Sequence, residues 1–126
     1  MDMNELHLTG RLVRDVELKS TATGNVFVWF TLAVNGKKDK NGNEQTDFVT
    51  CQMWGKQAEF LAKFGQKGKR ILVSRGAIKT FAKVDESTGE KRSYTYVLIN
   101  AFEFMDSLKA RNEGGSFESF GESIDF

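Results

Sequence analysis

The chain has 126 residues, enough for one compact domain and a terminal extension but not for a second independent core. Hydrophobic residues make up 40% of it and aromatic residues 12%, which excludes disorder throughout, while a single cysteine, Cys51, and a single histidine, His7, exclude an intrachain disulfide and a cysteine-rich zinc cage. The formal charge of +1 conceals a division: residues 113–126 carry Glu113, Glu118, Glu122 and Asp125 with no Lys or Arg, leaving 18 basic against 13 acidic residues, a balance of +5, in residues 1–112. A basic body points to a polyanionic partner, although a surplus of this size is also common on ordinary solvated surfaces.

Residues 1–8 alternate polar and apolar side chains without the basic-then-apolar pattern of a secretory signal, and no stretch is long and apolar enough to span a bilayer. The expected location is therefore the cytoplasm, with no membrane contact. A first strand is predicted over residues 5–18, with Gly10 placed where a bulge bends it. A second, over 26–34, follows the turn signal Thr23-Gly24-Asn25 and is dense in β-formers. The third, over 47–54, comes after a hydrophilic loop at 35–45 that holds Lys37, Lys38, Lys40 and Asn41-Gly42. Ala58, Leu61, Ala62 and Phe64 then recur at near-helical spacing, predicting a helix over 56–64 closed by Gly65 and Gly68. The fourth and fifth strands, 70–83 and 94–104, flank a turn at 85–91 and form a long hairpin, with a bulge expected at Arg75-Gly76.

This order predicts an all-β domain over residues 1–106: a five-stranded oligonucleotide-binding barrel with one helix between strands 3 and 4. Residues 107–126 turn to Gly, Ser, Glu and isolated Phe, a composition that cannot bury enough surface to offset ordering entropy, and are expected to form a disordered acidic tail with a hydrophobic tip.

Side chains alternate between the two faces of a strand, so parity sorts core from surface. In the third strand Val49, Cys51 and Met53 share the expected interior face, and Phe48, Thr50, Gln52 and Trp54 the other. Two large aromatics on an otherwise polar face are an odd surface for a soluble monomer, and bases stacking on the rings would explain them. In the second strand Val28, Phe30, Leu32 and Val34 fill the core, placing Trp29 outside, where it is either a DNA contact or part of a subunit interface. In the fourth, Arg75, Lys79, Phe81 and Lys83 have one parity and set an aromatic among cations, subject to any phase change at the bulge. The candidate stacking residues are thus Phe48, Trp54, Phe81 and Trp29, and the candidate phosphate contacts Arg11, Lys37, Lys38, Lys56, Arg75, Lys79 and Lys83. Bases hidden in a duplex cannot stack on protein, so the combination suits a single strand. Replacing Trp54 with Ala is expected to weaken binding and leave stability nearly intact. One His and one Cys on separate strands, with no phosphate-cradling glycine motif before a helix, make an enzyme hard to build, and no catalytic residue, metal or cofactor is assigned.

Four stretches carry a family resemblance: TGRLVRDVEL at residues 9–18, FTLAVN at 30–35, TDFVTCQMWGKQAE at 46–59 and KGKRILVSRG at 67–76. Together they resemble the bacterial and phage single-stranded DNA-binding proteins over roughly residues 3–105. The resemblance implies a non-catalytic barrel that assembles as a homotetramer and coats single-stranded DNA without sequence preference in replication, recombination and repair, in a bacterial or phage-infected cell. It places Phe48 and Trp54 at the family's stacking positions. It also implies that a tail tip, here Ile124, Asp125 and Phe126, recruits replication and recombination proteins. The chain departs from the pattern in five places: Asp15-Val16-Glu17-Leu18 replaces the usual Asp-Pro-Glu-Leu, Gly36, Lys37 and Lys38 stand where the family has a loop aromatic, one extra residue sits before Gly76, Lys83 stands near the hairpin aromatic with Phe81 two residues earlier, and the tail is short with dispersed acids. An RNA-binding or cold-shock-like barrel, and a barrel whose exposed aromatics serve protein contacts, are the alternative readings.

Overall fold

Val26 to Val34 is a run of β-branched and aromatic residues with every second side chain apolar, and such a run satisfies its backbone only by pairing on both edges. In the computed structural model, which describes residues 1–106, it forms the first part of a long strand that is paired throughout on one edge and at residues 26–27 and 32–33 on the other. The described elements run β1 (Leu6–Leu12), β2 (Lys19–Ser20), β3 (Val26–Lys38), β4 (Glu44–Trp54), α1 (Lys56–Phe64), β5 (Arg70–Val84) and β6 (Lys91–Phe104). The sheet order is β1-β5-β6-β4-β3-β2, and β1 also pairs with β3 through Arg11↔Ala33 and Leu12↔Leu32. That second pairing closes β1, β5, β6, β4 and β3 into a five-stranded barrel, the oligonucleotide-binding fold, with β2 as a short addition at the edge of β3. All contacts around the ring are antiparallel except β4 with β6, which meet in parallel at Cys51↔Val97 and Gln52↔Leu98.

The interior is made by alternation. Val28, Phe30 and Leu32 of β3 face Met53, Cys51 and Val49 of β4, and Ile71, Val73, Val97 and Ile99 complete the wall. Burying each aliphatic side chain of this kind contributes about 1.5 to 3 kcal/mol, so the core outweighs any single surface contact. The helix α1 lies over the barrel with Ala58 and Leu61 turned into that core, and Glu59 in its first turn and Lys63 in its last complement its dipole. Gly10 is buried where β1 is shared between β5 and β3: a Cβ there would stand 2.9 Å from the carbonyl oxygen of Ala33 and 3.2 Å from Cγ2 of Val34. Glycine permits the two backbones to approach and the barrel to close.

The differences from the sequence-based expectation have local causes. The first strand ends at Leu12, not at Leu18, because the backbone amides of Leu12 and Val16 are taken by Lys69 and Gly65 carbonyls, and Val16 folds into the core instead of continuing the sheet. The irregularity in β1 lies between Leu6 and Leu8 and not at Gly10. The bulge expected at Arg75-Gly76 is present. Strands β3 and β4 extend past the expected ends, so Lys37 and Lys38 belong to a strand and the turn shrinks to residues 39–43. Asp39 anchors this turn, its carboxylate accepting the backbone amides of Asn41 at 2.8 Å and Asn43 at 2.9 Å. These bonds hold the Asp39 carboxyl below the usual carboxylate pKa, chiefly through Asn43.

Candidate nucleic-acid interface

The register of β3 and β4 turns the parity argument into positions. On the outer face Phe27 stands opposite Trp54, Trp29 opposite Gln52, Thr31 opposite Thr50 and Ala33 opposite Phe48. Phe48 is 69% exposed, Trp54 42% and Trp29 38%. Trp54 leans on Phe27, ring centroids 4.9 Å apart, so part of its surface is already used by the protein. Gln52 shares this outer parity yet is buried, a departure from the polar surface expected there. Two cations extend these rows across the sheet: Lys19 of β2 pairs with Phe27, and Arg11 of β1 with Ala33 beside Phe48. The Arg11 guanidinium donates one hydrogen bond to the Gly68 carbonyl at 2.9 Å, which steadies the side chain and leaves further donors for an anion.

The β5–β6 hairpin continues the pattern. After the bulge Gly76 is buried and Ile78 pairs with the buried Val97, so the odd positions point outward: Lys79 opposite Tyr96, Phe81 opposite Tyr94 and Lys83 opposite Arg92. Phe81 and Tyr94 are near-parallel, 24° between planes and 5.2 Å between centroids. Tyr96 touches both Phe81 at 5.9 Å and, edge-on, Trp29 at 5.0 Å. The rings of Trp29, Tyr96, Phe81 and Tyr94 therefore form a connected series from the barrel wall out along the hairpin, bordered by Lys79, Lys83 and Arg92. Aromatic faces accept any base, and cations along their edges neutralise phosphates, which is the chemistry of a single-strand track.

The structure places Trp54 and Trp29 near one another at one end of the β3–β4 outer face and Phe48 with Arg11 towards the other, and joins Trp29 through Tyr96 to Phe81, Lys79 and Lys83 of the hairpin. Lys56 opens α1 two residues after Trp54 and is exposed. Lys37 and Lys38 lie at the far end of β3, where Lys38 pairs with Glu44, an acid that offsets its charge. Arg75 is exposed at the bulge opposite Ala101, outside the aromatic rows. The tip residues Ile124, Asp125 and Phe126 lie outside the described residues. Sequence reasoning missed Tyr94, Tyr96, Arg92 and Lys19. Parity applied to the fifth strand would have found the tyrosines, which alternate with Thr95 and the core residue Val97.

Among the described residues neither titration nor metal chemistry singles out another site. Burial pushes the Cys51 thiol up to about 12, keeping it protonated and unreactive. Among the described residues no three of His, Cys, Asp and Glu cluster to hold a metal ion.

A family model described as the single-strand binding protein family matches residues 3–105, which includes every strand of the barrel. The chain belongs to this single-strand binding protein family. Relatives within it include single-stranded DNA-binding protein 3 of Clostridium acetobutylicum, 37% identical over 119 residues, a match that covers 94% of this chain and 81% of that protein. Single-stranded DNA-binding protein 1 of Lactococcus lactis subsp. lactis is 38% identical over 112 residues, covering 88% of this chain and 73% of that one. Single-stranded DNA-binding protein 1 of Streptococcus agalactiae serotype III is 34% identical over 119 residues, covering 94% and 71%. In the hairpin, where the resemblance led to an expected departure near Lys83, Phe81 and two tyrosines form the aromatic surface.

Proposed function

We propose that this protein binds single-stranded DNA without sequence preference and protects it during replication, recombination and repair, acting by coating and not by catalysis. The observation that carries the reading is the outer barrel surface, where exposed Phe48, Trp54, Trp29 and Phe81 stand among cations in a chain of the single-strand binding family. Phe48 and Trp54 stack bases, Trp29 and Phe81 extend the platform, and Arg11, Lys56, Lys79 and Lys83 meet phosphates. Arg75, Lys37 and Lys38 meet phosphates farther along the strand. The working form is a homotetramer in the cytoplasm of a bacterial or phage-infected cell, and the tip Ile124, Asp125 and Phe126 of the acidic tail over residues 107–126 recruits replication and recombination proteins.

Competition among oligo(dT), the matching RNA and the matching duplex tests the central reading. Single-stranded DNA should win, and the logarithm of affinity should fall with the logarithm of salt by about 0.7 for each phosphate neutralised. Preference for RNA would favour the cold-shock-like reading, and no nucleic-acid affinity at all would turn the exposed aromatics into a protein-binding surface. Light scattering at micromolar concentration tests the tetramer. Deleting Ser119 to Phe126 should leave DNA affinity intact and abolish capture of replication proteins from the host.

A further inference from the structure

Among the described residues Gln52 alone combines a polar side chain with burial: it is 8% exposed, yet it lies on the outer face of β4 and not in the core. Its neighbours explain the burial. Trp29 of β3 stands beside it on one side and Leu98 of β6 on the other, and Tyr96, two residues before Leu98, meets Trp29 edge-on with ring centroids 5.0 Å apart. The two aromatics thus meet across β4 at the level of this residue. A primary amide offers two N–H donors and an acceptor oxygen, but among the described residues no side-chain hydrogen bond engages that of Gln52. No buried side-chain nitrogen or oxygen among them is sealed off without a partner, so the amide keeps an opening to the outside. A buried amide left unbonded costs stability, and an apolar side chain of the same volume would fill the space without that cost. The amide is therefore a group held ready for a ligand.

Beside it is a place for one. An open concavity of about 390 Å³ adjoins Trp29 and is lined also by Thr31 and Thr50, the latter two residues before Gln52 on the same face of β4. Its rim sets Arg14 and Lys19 against Asp15 and Glu17. Balanced charges give no net attraction to a phosphate, whereas the indole and the two threonines suit a flat, uncharged polar ring.

We infer that Gln52 reads the edge of one nucleobase seated against Trp29, and that the base it selects is adenine. An amide presents a donor beside an acceptor, and adenine answers with an acceptor beside a donor on two edges, N1 with N6–H and N7 with N6–H; the N7 edge of guanine and the C5 edges of the pyrimidines lack that pair. The inference rests on the proposed binding of single-stranded DNA and adds to it a base preference at one position of an otherwise sequence-tolerant surface. A purely structural Gln52, its amide lying on an aromatic ring, would contribute to stability and be indifferent to the base.

The test uses the full chain and oligo(dT) in which one central position carries either deoxyadenosine or the purine deoxynucleoside that lacks the N6 amino group. The wild-type protein should bind the adenine oligomer about fivefold or more tightly than the purine one, and Gln52→Met, which keeps the volume and removes the amide, should bring that ratio to about one with urea stability unchanged or raised. The wild-type ratio is read on unmodified protein, so it decides the question even where Gln52→Met folds poorly. A wild-type ratio near one, or a ratio that Gln52→Met leaves unchanged, would overturn the inference. Failure of the wild-type protein to bind oligo(dT) at all would instead refute the proposed function, a separate and recognisable result.

Discussion

Phe48 and Trp54 occupy the same face of β4, but truncating them should have different consequences, and the difference follows from how much of each ring the protein already uses. A phenylalanine side chain offers about 200 Å² of apolar surface, so at 69% exposure Phe48 buries only roughly 60 Å², worth at most about 1.5 kcal/mol at 25 cal/mol per Å². Trp54 is larger, is less than half exposed and rests on Phe27, so it buries roughly 145 Å², worth up to about 3.5 kcal/mol. Both lose the same kind of stacking contact, about 1 to 3 kcal/mol of binding, or roughly five- to 150-fold in Kd. Phe48→Ala should therefore separate binding from folding, with a large loss of oligo(dT) affinity and a stability change of about 1 kcal/mol or less, since alanine keeps part of the buried area. Trp54→Ala should lose affinity and also stability, in contrast to the near-intact folding expected from sequence. Urea denaturation and fluorescence anisotropy with labelled oligo(dT) measure the two quantities on the same samples. If Phe48→Ala binds as tightly as wild type, the exposed ring does not stack on bases. If it loses more than about 2 kcal/mol of stability, the burial argument itself is wrong.

Lys83→Gln should reduce the salt slope of oligo(dT) binding by about 0.7, the share of one phosphate, whereas Lys40→Gln in the turn should leave it unchanged; titration at several salt concentrations checks both. Gly10→Val should destabilise the barrel by about 1 to 3 kcal/mol or prevent its folding, because the nearest neighbour of the added Cβ is the Ala33 carbonyl oxygen, part of a backbone that cannot swing aside; urea denaturation reads this. Cys51 should resist alkylation in the native state at pH 8 and react once unfolded, as timed labelling and mass measurement would show. Burial raises the pKa of this thiol from its ordinary 9.0 to about 12, so the unfolded chain ionises first; this contribution to stability is full below about pH 9 and is lost as pH rises towards 12.

Much of the barrel was legible in the sequence because its inner and outer residues alternate. Val28, Phe30 and Leu32, and Cys51 and Met53, are buried as parity requires, and the expected helix limits coincide with Lys56–Phe64. Alternation is informative only where one face meets a core. From Asn35 to Lys38 and from Glu44 to Gln45 the side chains are exposed on both faces, so the pattern that marks a strand is absent and the segments read as loop. The end of the first strand was hidden for the opposite reason, since Val13, Val16 and Leu18 are apolar enough to suggest more sheet, and only the competing bonds from Lys69 and Gly65 reveal that the chain has left it. Of the candidate site, the exposed positions of Phe48, Trp54, Trp29 and Phe81 were legible, but the Tyr94–Phe81–Tyr96 contacts depend on the cross-strand register of a long hairpin, which is set by the bulges around Arg75.

The double pairing of β1 also governs how the chain must be made. β1 emerges first in synthesis, yet one of its two partners, β5, lies beyond α1, and the parallel contact that completes the ring waits for β6. A ribosome adding roughly 5 to 20 residues per second takes on the order of 3 to 10 s to travel from Trp54 to Phe104. A β3–β4 hairpin formed in that interval would have an apolar inner face not yet covered by Ile71, Val73, Val97 and Ile99. A pause in translation between α1 and β6 would prolong that exposure.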